Sequence, residues 1–288
     1  MEEVSLNDDA TQAPYELEEL ELSRRVGKEG GEENNNAWLE AYKKLMNKSI
    51  QTFYSLLGSK AWKPILNTFI DSKLSSSLYP VFLFECDRNA AHGFYTLKAQ
   101  AILNVRPERL MYVIRDHNPD TRLAWDNEHV KECNELDCYQ TTEGEIKVVS
   151  TRVSMGGIPM LSDRFNMGIT WYGYDDKTES YKYVFRSTQH KLHKCPSGAV
   201  NVISLMGVFV KTLIQNEELG LLESDNRLSR RISELFIVVH VNPGNSFPSA
   251  IANGFCKEWL RDRVRLYEKV AGEGWQQYYQ KSATKKKK

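Results

Sequence analysis

The sequence predicts an α+β domain in which a curved antiparallel sheet packs on one long C-terminal helix. Three observations carry that reading. Strand-like segments follow one another directly, with turn signals between them, instead of alternating with helices as a parallel sheet requires. Helix-like segments fall at the two ends and in one short central pair. The last of them is long and amphipathic: Ile251, Phe255, Trp259, Val264 or Leu266, and Val270 recur every three to four residues between Pro248 and Gly272.

Taken in order, a first helix is expected where Trp38, Tyr42, Leu45, Met46, Ser49, Phe53 and Leu57 recur at helical spacing, with Gly58 as its stop. Val81–Phe84 and Phe94–Leu103 read as strands separated by a turn near Asn89 to Gly93. Pro107 opens a short helix through Leu110 and Val113, since proline at a first helical turn gives up no needed donor. A second short helix runs through Leu123-Ala-Trp125, capped by the polar residues around Pro119, namely Asp116, His117 and Asp120. Six strands follow, around 130–136, 146–153, 165–174, 181–187, 200–213 and 235–241. No internal repeat is visible.

Between the 146–153 and 165–174 strands lies Met155-Gly-Gly-Ile-Pro-Met-Leu161, apolar where a surface loop is normally polar. Met155, Ile158, Met160 and Leu161 must therefore bury themselves against the core, against a lipid within the protein, or against a membrane outside it. Gly156-Gly157 gives this loop freedom to move, and thioethers repack easily.

With 41% hydrophobic and 26% charged residues in 288, the composition is that of an ordinary globular protein. A formal net charge of +0 gives no bulk attraction to nucleic acid. The charge is unevenly spread, however. Residues 1–36 are acidic with few large apolar residues and are expected to be disordered; residues 37–272 form the domain; residues 273–288 are a basic tail ending in Lys285 to Lys288. Each of those lysines adds about 1 kcal/mol of attraction to an anionic leaflet. No apolar run reaches the ~18 residues that span a bilayer, and no secretory signal precedes the domain, so an intracellular, cytoplasmic protein is expected. Cys86, Cys133, Cys138, Cys195 and Cys256 include no CxxC pair and are expected as free thiols.

Enzyme signatures are missing: there is no GxSxG, GxxxxGK(S/T), GxGxxG or HExxH. His190-Lys-Leu-His-Lys-Cys195 offers metal-ligand types at a spacing that fits no common zinc site. No enzyme activity, cofactor or metal is expected.

The ordered motifs resemble those of StAR-related lipid-transfer (START) domains over residues 37–272. Leu123-Ala-Trp-Asp126 resembles that family's Trp-Asp segment, and Leu161-Ser-Asp-Arg-Phe165 stands where it has Ser/Pro-Arg-Asp-Phe. Tyr183-Val-Phe-Arg-Ser187, His190, Gly198-Ala-Val200 and Phe236–Asn242 resemble its later strands. Phe247-Pro-Ser-Ala-Ile-Ala-Asn-Gly-Phe255 resembles the opening of its last helix. The chain departs from the family's pattern at the inverted Asp163-Arg164, at Asn242 for Asp and at Asn201 for Arg. Ile214 to Arg231 looks like an insertion. Ser150 and Ile169 align with an acid and an arginine that some sterol-carrying members place across the cavity.

The resemblance implies a helix-grip fold around an apolar cavity, typically ~300–1,000 Å³. The lid is expected from Met155, Ile158, Met160 and Leu161, meeting Phe247, Ile251 and Phe255 of the final helix. Trp259 from that helix and Arg152, Ile169, Trp171, Tyr183 and His240 from the sheet are expected at the cavity. The implied function is binding and transfer of one lipid between membranes. Phospholipid is favoured over sterol because no charge pair stands at 150 and 169; sphingolipid is a further candidate ligand. Contact with anionic membranes would be peripheral and transient. A lipid-sensing module of the same fold is the alternative, and a cyclase-like enzyme a more distant one. Transfer has a clear physical value: about 0.8 kcal/mol per methylene opposes the escape of a sixteen-carbon chain from a bilayer, roughly 13 kcal/mol in all.

Overall fold

The computed structural model describes residues 32–65, 80–86, 96–141, 144–154, 162–190, 193–215, 230–244 and 248–280. The predicted lid, 155–161, and Phe247 lie outside them, as do most of the acidic segment, residues 216–229 of the expected insertion, and the terminal lysines.

Helix α1 (Glu32–Leu57) leads through a two-residue strand β1 (Lys63–Pro64) to β2 (Val81–Cys86) and β3 (Thr96–Leu103). Two short helices, α2 (Pro107–Ile114) and α3 (Pro119–Asp126), come next. Seven strands follow: β4 (Val130–Thr141), β5 (Gly144–Val153), β6 (Asp163–Asp175), β7 (Ser180–Ser187), β8 (Ala199–Asn201), β9 (Ile203–Gln215) and β10 (Arg230–Asn242). Helix α4 (Ser249–Ala271) and a π-helical turn (Gln276–Gln280) end the described chain.

All ten strands join one sheet in the order β1-β2-β3-β10-β9-β7-β6-β5-β4, with β8 beside β6. Every pairing is antiparallel except β6–β8. The α2–α3 pair carries the chain across the sheet, so that β10, the last strand, pairs with β3. Successive side chains on a strand point to opposite faces, and here both faces are covered. One carries Phe165, Met167, Ile169, Val184, Leu205 and Val238 against Trp38, Tyr42, Met46 and Phe53 of α1. The other carries Leu97, Ala99, Tyr183, Phe185, Val208 and Val239 against Leu260, Val264, Tyr267 and Val270 of α4. Burying an aromatic or large aliphatic side chain in this way contributes ~1.5–3 kcal/mol. Gly207 has a specific role: a Cβ there would collide with the Phe53 ring, so its bare backbone is what lets α1 dock.

Three local expectations are corrected. α1 starts at Glu32, inside the segment expected to be disordered, because helix propagation from an apolar-faced core extends into polar residues at little cost. The expected 200–213 strand divides at Val202, whose N–H donates to Phe165 O (2.9 Å), so β8 joins β6 while β9 joins β7. The cap of α3 is Asn118, whose Oδ1 accepts from Asp120 N at 2.9 Å. Asp116 instead accepts from Asn118 N, the Thr121 hydroxyl and Tyr279 OH.

Candidate functional site

The face gripped by α4 is the candidate site. The alternation of the strands decides which expected residues reach it. Tyr183 does, fully buried, and Trp259 packs partly buried in the same cluster. Ile169 and Trp171 do not: both pack in the cluster facing α1. His240 shares the face of Val238, not of Val239, and its Nδ1 lies 3.3 Å from the hydroxyl of Thr96, directly across on β3. Arg152 shares the face of Val148 and is held by Asp163 (2.8 Å) and Glu132 (3.2 Å), while Lys131 pairs with the same Asp163 (2.9 Å). The inverted Asp163-Arg164 thus puts its carboxylate in an outward ion-pair network, and the bond from Lys131 foremost holds the Asp163 carboxyl below its ordinary range.

Ser150 and Ile169 also lie on the α1 side, so their lack of charge says nothing about a ligand on the other face. Their neighbours Val149, Thr151, Gly168 and Thr170 are the ones that alternate towards α4. On α4 itself, Ala252 is buried while Ile251 and Phe255, one turn apart, are 55% and 38% exposed. Large apolar side chains paired in this way at a helix start face solvent or whatever contacts the protein there.

The α4 face holds a polar cluster that sequence reasoning missed. Arg122 and Asp126 sit four apart on α3, one above the other, and pair at 2.8 Å. Arg263 of α4 reaches the same carboxylate oxygen. Aromatic rings cover both guanidiniums: Trp125 lies 4.3 Å from that of Arg122, and Trp259 5.3 Å from that of Arg263. Arg122 Nε and Asp126 Oδ1 are buried without a hydrogen-bond partner. One charge-carrying donor and one acceptor are therefore left over in the most expensive place to leave them. The i, i+4 spacing of Arg122 and Asp126 was a readable signal; the contribution of Arg263, 137 residues away, was not.

Beside it, His117 Nε2 lies 2.9 Å from Tyr183 OH, and Cys133 Sγ donates to His117 O at 3.3 Å. Burial pushes the His117 imidazole down to about 3, and the positive charges of Arg122 and Lys147 act in the same direction. Burial also raises the Cys133 thiol to about 11. A neutral imidazole and a protonated thiol are poor candidates for acid–base or nucleophilic work at neutral pH. Nearer the chain ends of β6, β7 and β9, Asn166, Ser187 and Ser204 form a closed network, with Asn166 Nδ2 donating to Ser204 Oγ at 3.0 Å and the hydroxyls of Ser187 and Ser204 3.2 Å apart.

In the 190–195 segment, His190 Nε2 contacts Asp137 Oδ2 at 3.1 Å, His193 stacks on Phe165, and the Cys195 thiol donates to Ala199 O. Among the described residues no group of His, Cys, Asp and Glu is placed to hold a metal ion, and no helix is long and apolar enough to cross a membrane.

By sequence the chain matches no protein-family model and no curated relative. By structure it is similar to the crystal structure of human STARD10, at a TM-score of 0.59 and 14% identity over 91% of this chain and 88% of that one. It is similar also to human StAR-related lipid transfer protein 5, at 0.60 and 12% over 82% and 98%. The lipid transfer and protein localization domain of human StarD13 matches at 0.53 and 12% over 77% and 94%. At these identities the likeness is one of fold. The long curved antiparallel sheet closed over a C-terminal helix is the START-type helix-grip fold.

Proposed function

We propose that the protein is a non-enzymatic lipid-binding and lipid-transfer domain that holds one lipid between the sheet and α4. The observation that carries this is the start of α4, where Ile251 and Phe255 stand exposed on the helix that covers the site. Apolar side chains at that place cost free energy in water and gain it at a bilayer interface. The reading has the protein cytoplasmic and at membranes only transiently.

Phospholipid is the favoured cargo over sterol, on new grounds. The leftover Arg122 Nε donor is charged, and charge-assisted bonds to phosphate oxygens are roughly twice as strong as bonds between neutral groups. A sterol hydroxyl offers only a neutral partner. Mass spectrometry of lipid extracted from the purified protein, followed by transfer between vesicles, tests the proposal. A bound phospholipid near one-to-one and its transfer without a cofactor support it; no bound lipid and no transfer of phospholipid, sterol or sphingolipid overturn it. Chemical change of the bound molecule would mean an enzyme.

A further inference from the structure

Asp116, in the short connection between α2 and α3, joins three parts of the chain. Its buried carboxylate accepts from the Thr121 hydroxyl at 2.7 Å, from Trp125 Nε1 at 3.4 Å and from the hydroxyl of Tyr279 at 2.8 Å. Its main-chain carbonyl accepts from Arg122 Nη1 at 3.3 Å. Tyr279 comes from the π-helical turn after α4, 163 residues on, and its ring is held edge-on to Tyr112 of α2 (5.0 Å) and beside Trp275 (4.8 Å). The turn after α4 is thus strapped onto the connection that carries Asp116.

We propose that Tyr279 and Asp116 are positioning residues for Arg122, holding its guanidinium so that Nε–H stays available to a lipid phosphate, a role that rests on the lipid-binding reading. A guanidinium pairs side-on with a carboxylate through Nε and Nη2, by two parallel bonds. Here only one is made. Arg122 Nη2 meets Asp126 Oδ2 at 2.8 Å, while Nε and Asp126 Oδ1, both buried, lack a partner. A small rotation would close the second bond and satisfy both groups, and leaving them unpaired is unfavourable. Contacts from Asp116 oppose that rotation. Its carbonyl draws Nη1, on the opposite side of the guanidinium from Nε–H, and its carboxylate fixes the Trp125 indole, whose ring lies 4.3 Å from the guanidinium. Thr121 and Tyr279 in turn fix Asp116. Without the Tyr279 hydroxyl the guanidinium relaxes onto Asp126, the two charges satisfy each other, and the spare donor is lost.

The test uses the full-length protein, equilibrated with vesicles that hold phosphatidylcholine and diacylglycerol of the same acyl chains in equal amounts. Mass spectrometry of the re-isolated protein counts each lipid. The original protein should prefer the phospholipid, and Tyr279→Phe and Thr121→Val should each lower that preference at least about fivefold, the loss of a charge-assisted bond. Both changes remove one hydroxyl from a side chain of similar shape, and thermal melting checks that the fold is retained. Arg122→Met should abolish the preference, and adding Tyr279→Phe to it should change nothing further. A merely structural role for the strap would lower both lipids together and leave the preference intact. A smaller change in preference, with or without loss of total lipid, or a further fall when Tyr279→Phe joins Arg122→Met, overturns the positioning role alone. Uptake of neither lipid by the original protein, or of both without preference, overturns the phospholipid reading as well.

Discussion

The two faces of the sheet are each covered by a helix and differ in how their buried charges are grouped. The α1 side is mostly apolar contact at its centre, with Phe53 seated over Gly207 and Tyr42 fully covered. Its ion pairs, such as Arg152 with Asp163 and Glu132, lie at the margin, and one arginine, Arg186, is buried in register with Ile169 and Leu205. The α4 side mixes a core of leucine, valine and alanine with buried ions and a buried imidazole, and leaves Arg122 Nε and Asp126 Oδ1 unmatched. A cluster of three buried ions is a costly way to serve stability alone, since replacing such a cluster by apolar side chains is often neutral or stabilising. On the proposed lipid-binding reading, recognition falls to the α4 face, where the three-ion cluster lies.

The harshest way to break that contrast is to take one member from the ion cluster. Asp126→Ala leaves two guanidiniums buried side by side and should cost roughly 3–5 kcal/mol in urea unfolding. The triple change Arg122→Met/Asp126→Leu/Arg263→Met removes all three charges together. It should recover most of that loss while phospholipid binding stays impaired; recovery of both would make the cluster merely structural.

On the other face, Phe53→Ala should cost about 3–4 kcal/mol, by loss of transfer energy and a cavity over Gly207, with unchanged lipid content in the folded fraction. Loss of lipid at conditions where the variant remains folded would mean that the faces are coupled.

His117 gives the α4 face a pH dependence of its own. The unfolded chain takes up this proton below about pH 6.5, and the folded protein only near pH 3. Stability from this group is therefore complete above about pH 6.5 and declines as pH falls towards 3, at about 1.4 kcal/mol per unit. Between about pH 8 and pH 5 it should lose about 2 kcal/mol, and His117→Gln should remove that part of the decline in melts across the range. An unchanged slope in the variant would show that the buried imidazole is not the cause.

The smallest effect on stability is expected from Ile251→Ser/Phe255→Ser, within about 0.5 kcal/mol since both residues are exposed. Co-sedimentation with anionic vesicles should nevertheless fall severalfold, and retention of full vesicle binding would remove the start of α4 from the membrane contact.

Much of this architecture was legible in the sequence, because the order of strands and helices depends on local period and turn chemistry. Pro107, Pro119 and Gly272 stand at helix boundaries, and eight of the strands lie where alternation and turns put them. The facing of side chains was not legible. In a sheet covered on both sides, neighbouring residues such as Val148-Val149 and Tyr183-Val184-Phe185 are all buried, so the polar positions that normally reveal the phase are missing. A shift of one residue then exchanges the faces, which is why Ile169, Trp171, Arg152 and His240 were expected on the wrong side. The Arg122–Asp126–Arg263 cluster depended on α3 and α4 meeting, a fact of tertiary structure with no local trace.

The pairing of β3 with β10 sets a schedule for the growing chain on the ribosome. Leu103 must wait for Ser233, its partner in the sheet, about 130 residues later. At roughly 5–20 residues per second, the inner edge of β3 stands unpaired for about 6–26 seconds of synthesis. During that interval Leu97, Ala99 and Ala101 lack both their strand neighbour and the helix that will cover them. Nascent copies on one message are thus most prone to cross-pairing before β10 emerges, and a chaperone that shields apolar strands would act in that interval.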